Sequence, residues 1–144
     1  MVGTLAAYGH KGDYYRIYEI NPAMVEFAAS EEGYFRFVPE CRAKIDVVIG
    51  DARISMEREE SQQFDILALD AFSGDASPVH LLTKEAFSIY MRHMREGGII
   101  AVHITNRYID FKPLIWKLAD PLSKARNSNK SACGRMIIAT CISY

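Results

Sequence analysis

Four short apolar runs, separated by stretches of helical periodicity, organise this chain. They are YYRIYEI (14–20), KIDVVIG (44–50), FDILALD (64–70) and GGIIAVHI (97–104). The first is rich in aromatic and β-branched residues. The other three are nearly continuous in apolar character, the pattern of strands buried on both faces of a parallel sheet. Between the runs lie helical patterns. NPAMVEFAAS (21–30) offers Asn21 as a cap and Pro22 for the first turn. DARISMEREE (51–60) is short, charged and amphipathic. TKEAFSIYMRHMRE (83–96) starts at Thr83 and sets Ala86, Phe87, Tyr90, Met91 and Met94 on one side, with Gly97 as its expected stop. DFKPLIWKLAD (110–120) reads as a further helix around Pro113.

Strands alternating with helices predict an α/β fold. It has right-handed crossovers and a mostly parallel sheet carrying helices on both faces. The pattern holds over residues 1–120 and fades in a tail, 121–144. There, LSKARNSNKSACGR is polar and small and reads as loop or disorder, while MIIATCI (136–142) is a candidate final strand.

Composition narrows the function. At 144 residues, 49% hydrophobic and 24% charged, the chain is the size of one ordinary globular domain. A net charge of −1 gives no electrostatic footprint for nucleic acid or an anionic membrane. Cys41, Cys133 and Cys141 form no CxxC pair and read as free thiols in a reducing compartment, with no metal site. No run approaches the roughly 18–20 apolar residues of a membrane span, and the start lacks a signal-peptide pattern. The expected location is the cytoplasm. A homo-oligomer is compatible with all of this.

The strand ends carry the candidate chemistry. In open α/β sheets, ligands bind outside the carboxyl ends of the strands. Glu19 lies near the end of the first run, Asp51 follows the second, and Asp70 closes the third with Asp75 in the loop beyond. A parallel sheet brings these ends onto one rim. A carboxylate at the first position can accept hydrogen bonds from both hydroxyls of a ribose; one at the second can meet an adenine amino group; the third faces whatever reacts. Plainer roles compete: Asp51 is well placed to cap the next helix, and Asp75 can be a turn residue. An acid inside an apolar strand, such as Glu19, costs desolvation unless it has a partner. For Asp70 the expected cap of the following helix is Thr83, thirteen residues later.

The ordered series YEINP, GDAR, FDILALDAFSGDASPVHLLTKEAF and GGIIAVHI resembles the spermidine synthase family of polyamine aminopropyltransferases, specifically its bacterial spermidine synthase-like branch. The resemblance covers about residues 3 to 118. It implies the Rossmann-like methyltransferase fold and a nucleoside co-substrate, S-adenosylmethionine or its decarboxylated form, with no metal. By the same resemblance Glu19 holds the ribose hydroxyls, Asp51 and Ala52 lie beside the adenine, and Asp70 orients and deprotonates a polyamine substrate. Asp75 matches the family's second loop acid only approximately, because four residues separate it from Asp70 where the family has two.

The ends depart from the family. Gly3 and Thr4 match the tail of a glycine-rich loop whose preceding strand is absent, as is the family's β-rich N-terminal portion. The expectation is a chain truncated at both ends: an internal fragment, a truncated product or an incomplete gene. Loss of a central strand is expected to expose edges in mid-sheet. Three readings follow: an aminopropyltransferase weakened by truncation, an S-adenosylmethionine-dependent methyltransferase, or a catalytically silent nucleoside-binding or interaction module.

Overall fold

The computed structural model describes residues 3–29, 34–70, 79–103, 109–123 and 135–140, with side chains described through residue 118. A 3-10 turn at Thr4–Tyr8 leads into β1 (Tyr14–Glu19), α1 (Pro22–Ala29), β2 (Lys44–Ile49), α2 (Ala52–Arg58) and β3 (Phe64–Leu69). A second 3-10 turn at Val79–Leu81 precedes α3 (Lys84–His93), β4 (Met94–Val102), α4 (Lys112–Ser123) and β5 (Arg135–Thr140). The strands form one five-stranded sheet in the order β2-β1-β5-β3-β4, parallel at every pairing. This is the α/β architecture of a partial Rossmann-like fold.

The caps explain where the helices start. The Asn21 side chain accepts the Ala23 N–H at 3.0 Å ahead of α1. Asp51 accepts the Ile54 N–H at 2.9 Å ahead of α2, and Thr83 accepts the Ala86 N–H at 3.2 Å ahead of α3. Each satisfies a donor that the first helical turn leaves without a partner. Asp110 does the same for Lys112 at the start of α4.

Strand alternation divides the core between the two faces. Tyr15 and Ile17 pack with Ala28 of α1 and with Leu5, Met24, Ile45 and Val47. On the other face Tyr18, Phe64, Leu67 and Leu69 pack with Ala52, Met56, Phe87 and Tyr90 of α2 and α3, and Phe111, Ile115 and Leu118 join them. Each large apolar side chain fully buried there contributes roughly 1.5–3 kcal/mol. A charged network fixes α2 against β1: Arg16 Nη2 donates to Glu59 Oε1 at 2.6 Å, and the Tyr18 hydroxyl donates to Glu59 Oε2 at 2.6 Å.

Four expectations are corrected. The mid-sheet gap does not occur, because β5 lies between β1 and β3 and hydrogen-bonds to both. Strands β2 and β4 are the sheet edges and are only partly buried, with Ile49 and Ile99 exposed. Helix α3 stops at His93 rather than at Gly97, so Met94 opens β4 and pairs with Phe64. Helix α4 continues past Asp120 through Pro121 to Ser123. The early end of α3 has a physical cause. After the Phe64–Met94 pair, the register jumps to Ile66–Ile99, so the residues between form a bulge. Gly97 takes a left-handed φ of 77° in that bulge, and a Cβ on Gly98 would lie 2.9 Å from the Phe64 carbonyl oxygen. Arg95 pairs there with Asp65.

Candidate functional site

All five strands run the same way, so Glu19, Ile49, Leu69, Val102 and Thr140 end them on one rim. The chain passes from β1 outward to β2, then returns across the sheet to β3 and outward again to β4. That reversal falls at the carboxyl ends of β1 and β3, the switch point at which open α/β sheets bind ligands. Glu19 pairs in register with Thr140. Asp70 follows Leu69, whose partner is Ala139, so it lies level with Thr140 from the other side. Two interstrand spacings, about 10 Å at the backbone, separate Glu19 from Asp70.

Glu19 is fully buried. Its Oε1 accepts the Asn21 N–H at 2.9 Å, whereas Oε2 is buried with no hydrogen-bond partner among the described residues. Burial pushes its carboxyl above the ordinary carboxylate range, against the lowering effect of the Asn21 bond. An acceptor buried without a donor costs free energy; two vicinal hydroxyls are the kind of donor that would satisfy it.

Asp51 spends both oxygens within the protein. Oδ1 caps α2, and Oδ2 lies 2.9 Å from His80 Nε2. The His80 carbonyl accepts from Arg53 Nη1 at 2.8 Å, which ties the turn ahead of α3 to the start of α2. Ala52 is buried in the core beneath the same turn.

Asp70 Oδ1 lies 2.7 Å from His103 Nδ1. His103 directly follows β4, and its backbone N–H donates to the Leu69 carbonyl at 2.9 Å. The sheet ladder therefore fixes this pair, and both side chains are about half exposed. Asp75 lies outside the described residues. Gly3 has a left-handed φ of 82°, and a Cβ there would meet Val38 Cγ2 at 2.5 Å, so glycine is required at that position by backbone and packing alike.

The two histidine–aspartate pairs are functional candidates that inspection of the sequence misses, since their members lie 29 and 33 residues apart. The signal that could have found His103 is positional. It stands just past one strand as Asp70 stands just past its neighbour. Tyr14 of β1 donates to Asp46, and Tyr90 of α3 donates to the Leu81 carbonyl inside the core.

A cavity of about 390 Å³ opens elsewhere, near the amino ends of β1 and β2, lined among others by Gly9, His10, Arg36, Cys41 and Arg42. None of Gly3, Glu19, Asp51, Ala52 and Asp70 lines it. Among the described residues, no group of three or more His, Cys, Asp or Glu side chains could hold a metal ion. No helix among them is long and apolar enough to cross a membrane.

Comparison with known proteins adds a distant relative. A polyamine aminopropyltransferase of Vibrio vulnificus (strain CMCP6) is 32% identical to this chain over 89 residues. Those residues are 60% of this chain and 28% of the relative, so the chain spans under a third of that enzyme's length. No protein-family model and no solved structure matches the chain. The chain is thus similar, over part of its length, to an enzyme that transfers aminopropyl groups.

Proposed function

We propose that the rim binds an S-adenosylmethionine-type nucleoside and that the chain is a spermidine synthase-like transferase, moving an aminopropyl group from decarboxylated S-adenosylmethionine to an amine such as putrescine. The observation that carries this reading is the Oε2 of buried Glu19, without a hydrogen-bond partner among the described residues, at the sheet's switch point. The partial similarity to a polyamine aminopropyltransferase supports it. In this reading Glu19 receives the ribose hydroxyls, Asp51 and Ala52 border the adenine, and Gly3 lets the backbone come close to the ligand. Asp70 is the base that accepts the amine's proton, and Asp75, outside the described residues, is assigned to recognition of the cation.

When bound, the nucleoside supplies a sulfonium-activated carbon. The protein's residues supply the rest. A polyamine arrives as a cation and must lose a proton before its nitrogen can attack. Negative charge at Asp70 attracts the cation and favours its deprotonation. Holding the amine in line with the activated carbon supplies much of the remaining acceleration. We place the activity in the cytoplasm, the reducing compartment that three cysteines without a CxxC pair suggest.

A catalytically silent nucleoside-binding module is the second reading, favoured by the closure of both Asp51 oxygens onto protein groups. An assay with decarboxylated S-adenosylmethionine and putrescine, read by mass spectrometry of the amine, separates the two. Aminopropylated product is expected. Nucleoside binding without product leaves the silent module, and methylated product with S-adenosylmethionine instead indicates a methyltransferase. Asp70→Asn is expected to abolish turnover and spare nucleoside binding.

A further inference from the structure

We propose that the cavity near the amino ends of β1 and β2 binds a small phosphate monoester carrying a planar organic group. The rim chemistry does not use this cavity. The length of β1, Tyr14–Glu19, about 17 Å at the ordinary strand rise, lies between the two places. Its volume of about 390 Å³ is in the range of small-ligand sites. One wall is the 3-10 turn Thr4–Tyr8 with Gly9 and His10; the other is the segment that leads into β2. Hydrogen bonds hold that segment. The Glu40 N–H donates to the Arg36 carbonyl at 3.0 Å, the Cys41 N–H to the Val38 carbonyl at 3.2 Å, and the Ala43 N–H to Cys41 Sγ at 3.4 Å. A Cβ on Gly9 would meet Cys41 Sγ at 2.5 Å and Ala43 Cβ at 2.9 Å, so the two walls approach this closely only because the residue is glycine.

The charge of the lining is unbalanced. Arg36 and Arg42 line the cavity against one carboxylate, Glu40. Arg36 Nε donates to Glu40 Oε1 at 2.9 Å. That bond offsets the carboxylate, and both Nη atoms of Arg36 stay without a partner among the described residues. Arg42 has no hydrogen bond or ion pair with a described residue. The ring of His10 lies 3.7 Å from Asp13 Oδ2, so Asp13 offsets any charge there and the two arginines are left to hold an anion. A guanidinium fork pairs with two oxygens at once. Two forks exceed what the two oxygens of a carboxylate can serve, whereas a phosphate monoester brings three terminal oxygens and up to two charges. Phe37 adds an apolar wall. Its ring stacks on Phe35 with centroids 6.3 Å apart, and Phe37 stays 37% exposed, which leaves ring surface for a planar group.

The test is calorimetric titration of the full chain with phenyl phosphate, with inorganic phosphate and phenol as the two halves of the probe. Phenyl phosphate is expected to bind at millimolar concentration or below, more tightly than either half. Arg42→Gln is expected to weaken it by about tenfold or more, added salt to weaken it further, and Glu19→Gln to leave it unchanged. Arg42 is exposed, so its substitution spares the fold. No binding at millimolar phenyl phosphate, or equal affinity in Arg42→Gln, overturns the site. Inorganic phosphate binding as tightly as phenyl phosphate overturns the planar group, and a loss in Glu19→Gln moves the ligand to the rim and overturns the location. Amide NMR shifts of the wild-type chain give a readout independent of any variant. Changes at Gly9, His10 and Arg42 are expected; changes confined to other residues overturn the proposal.

Discussion

Glu19 and Thr140 face each other as the last pair between β1 and β5. The strand nearest the C-terminus thus occupies the centre of the sheet, between the two strands whose ends carry Glu19 and Asp70. Its backbone joins the two halves of the candidate site.

That placement makes β5 essential to the fold. Ile138 pairs with Ile17 on one side and Ala68 on the other. Ile138→Pro removes a ladder donor from a central strand, where proline is essentially excluded. A loss of about 1–3 kcal/mol is expected from the ladder carbonyl left without its donor, read by urea denaturation. An unchanged midpoint would mean that β5 is not a central strand in solution.

Glu19 should oppose stability at neutral pH. Its folded-state value is raised above the ordinary 4.5, so the folded protein holds this proton more tightly than the unfolded chain does. Its contribution therefore falls as pH rises from the ordinary carboxylate value through the raised one. Glu19→Gln should stabilise the ligand-free chain at pH 7 by on the order of 1 kcal/mol and flatten this part of the profile. Denaturation midpoints at several pH values check it; a less stable variant at pH 7 would contradict it.

His93 acts in the opposite direction. It is fully buried, with Nε2 2.7 Å from the Met56 carbonyl and Nδ1 buried without a partner among the described residues. Burial is the largest cause holding its value below the ordinary 6.5. The unfolded chain thus takes up this proton first, and stability is lost as pH falls through the ordinary histidine range. His93→Gln should show a shallower loss between pH 7 and 5 than the wild type. Equal slopes would show that another group controls the acid limb.

Much of this was legible in the chain. The apolar runs located β1, β2 and β3 to within a residue, and Asn21 and Thr83 marked their helices because short polar side chains satisfy the donors of a first turn. The capping role of Asp51 was legible too, and the structure shows it. The end of α3 was not legible. Met94 fits the helical apolar face equally well, and only its pairing with Phe64 decides the matter. The central position of β5 is a long-range choice that local pattern does not encode. The Asp70–His103 pair depends on which strands become neighbours, which no single strand states.

Calorimetric titration of the wild-type chain and Glu19→Gln with decarboxylated S-adenosylmethionine tests nucleoside binding at the rim most directly. Binding to the wild type is expected, with a loss of about tenfold or more in the variant, since each hydrogen bond to a charged group contributes roughly 1.5–3 kcal/mol. Equal affinity in the two proteins, or no binding to the wild type, would contradict it.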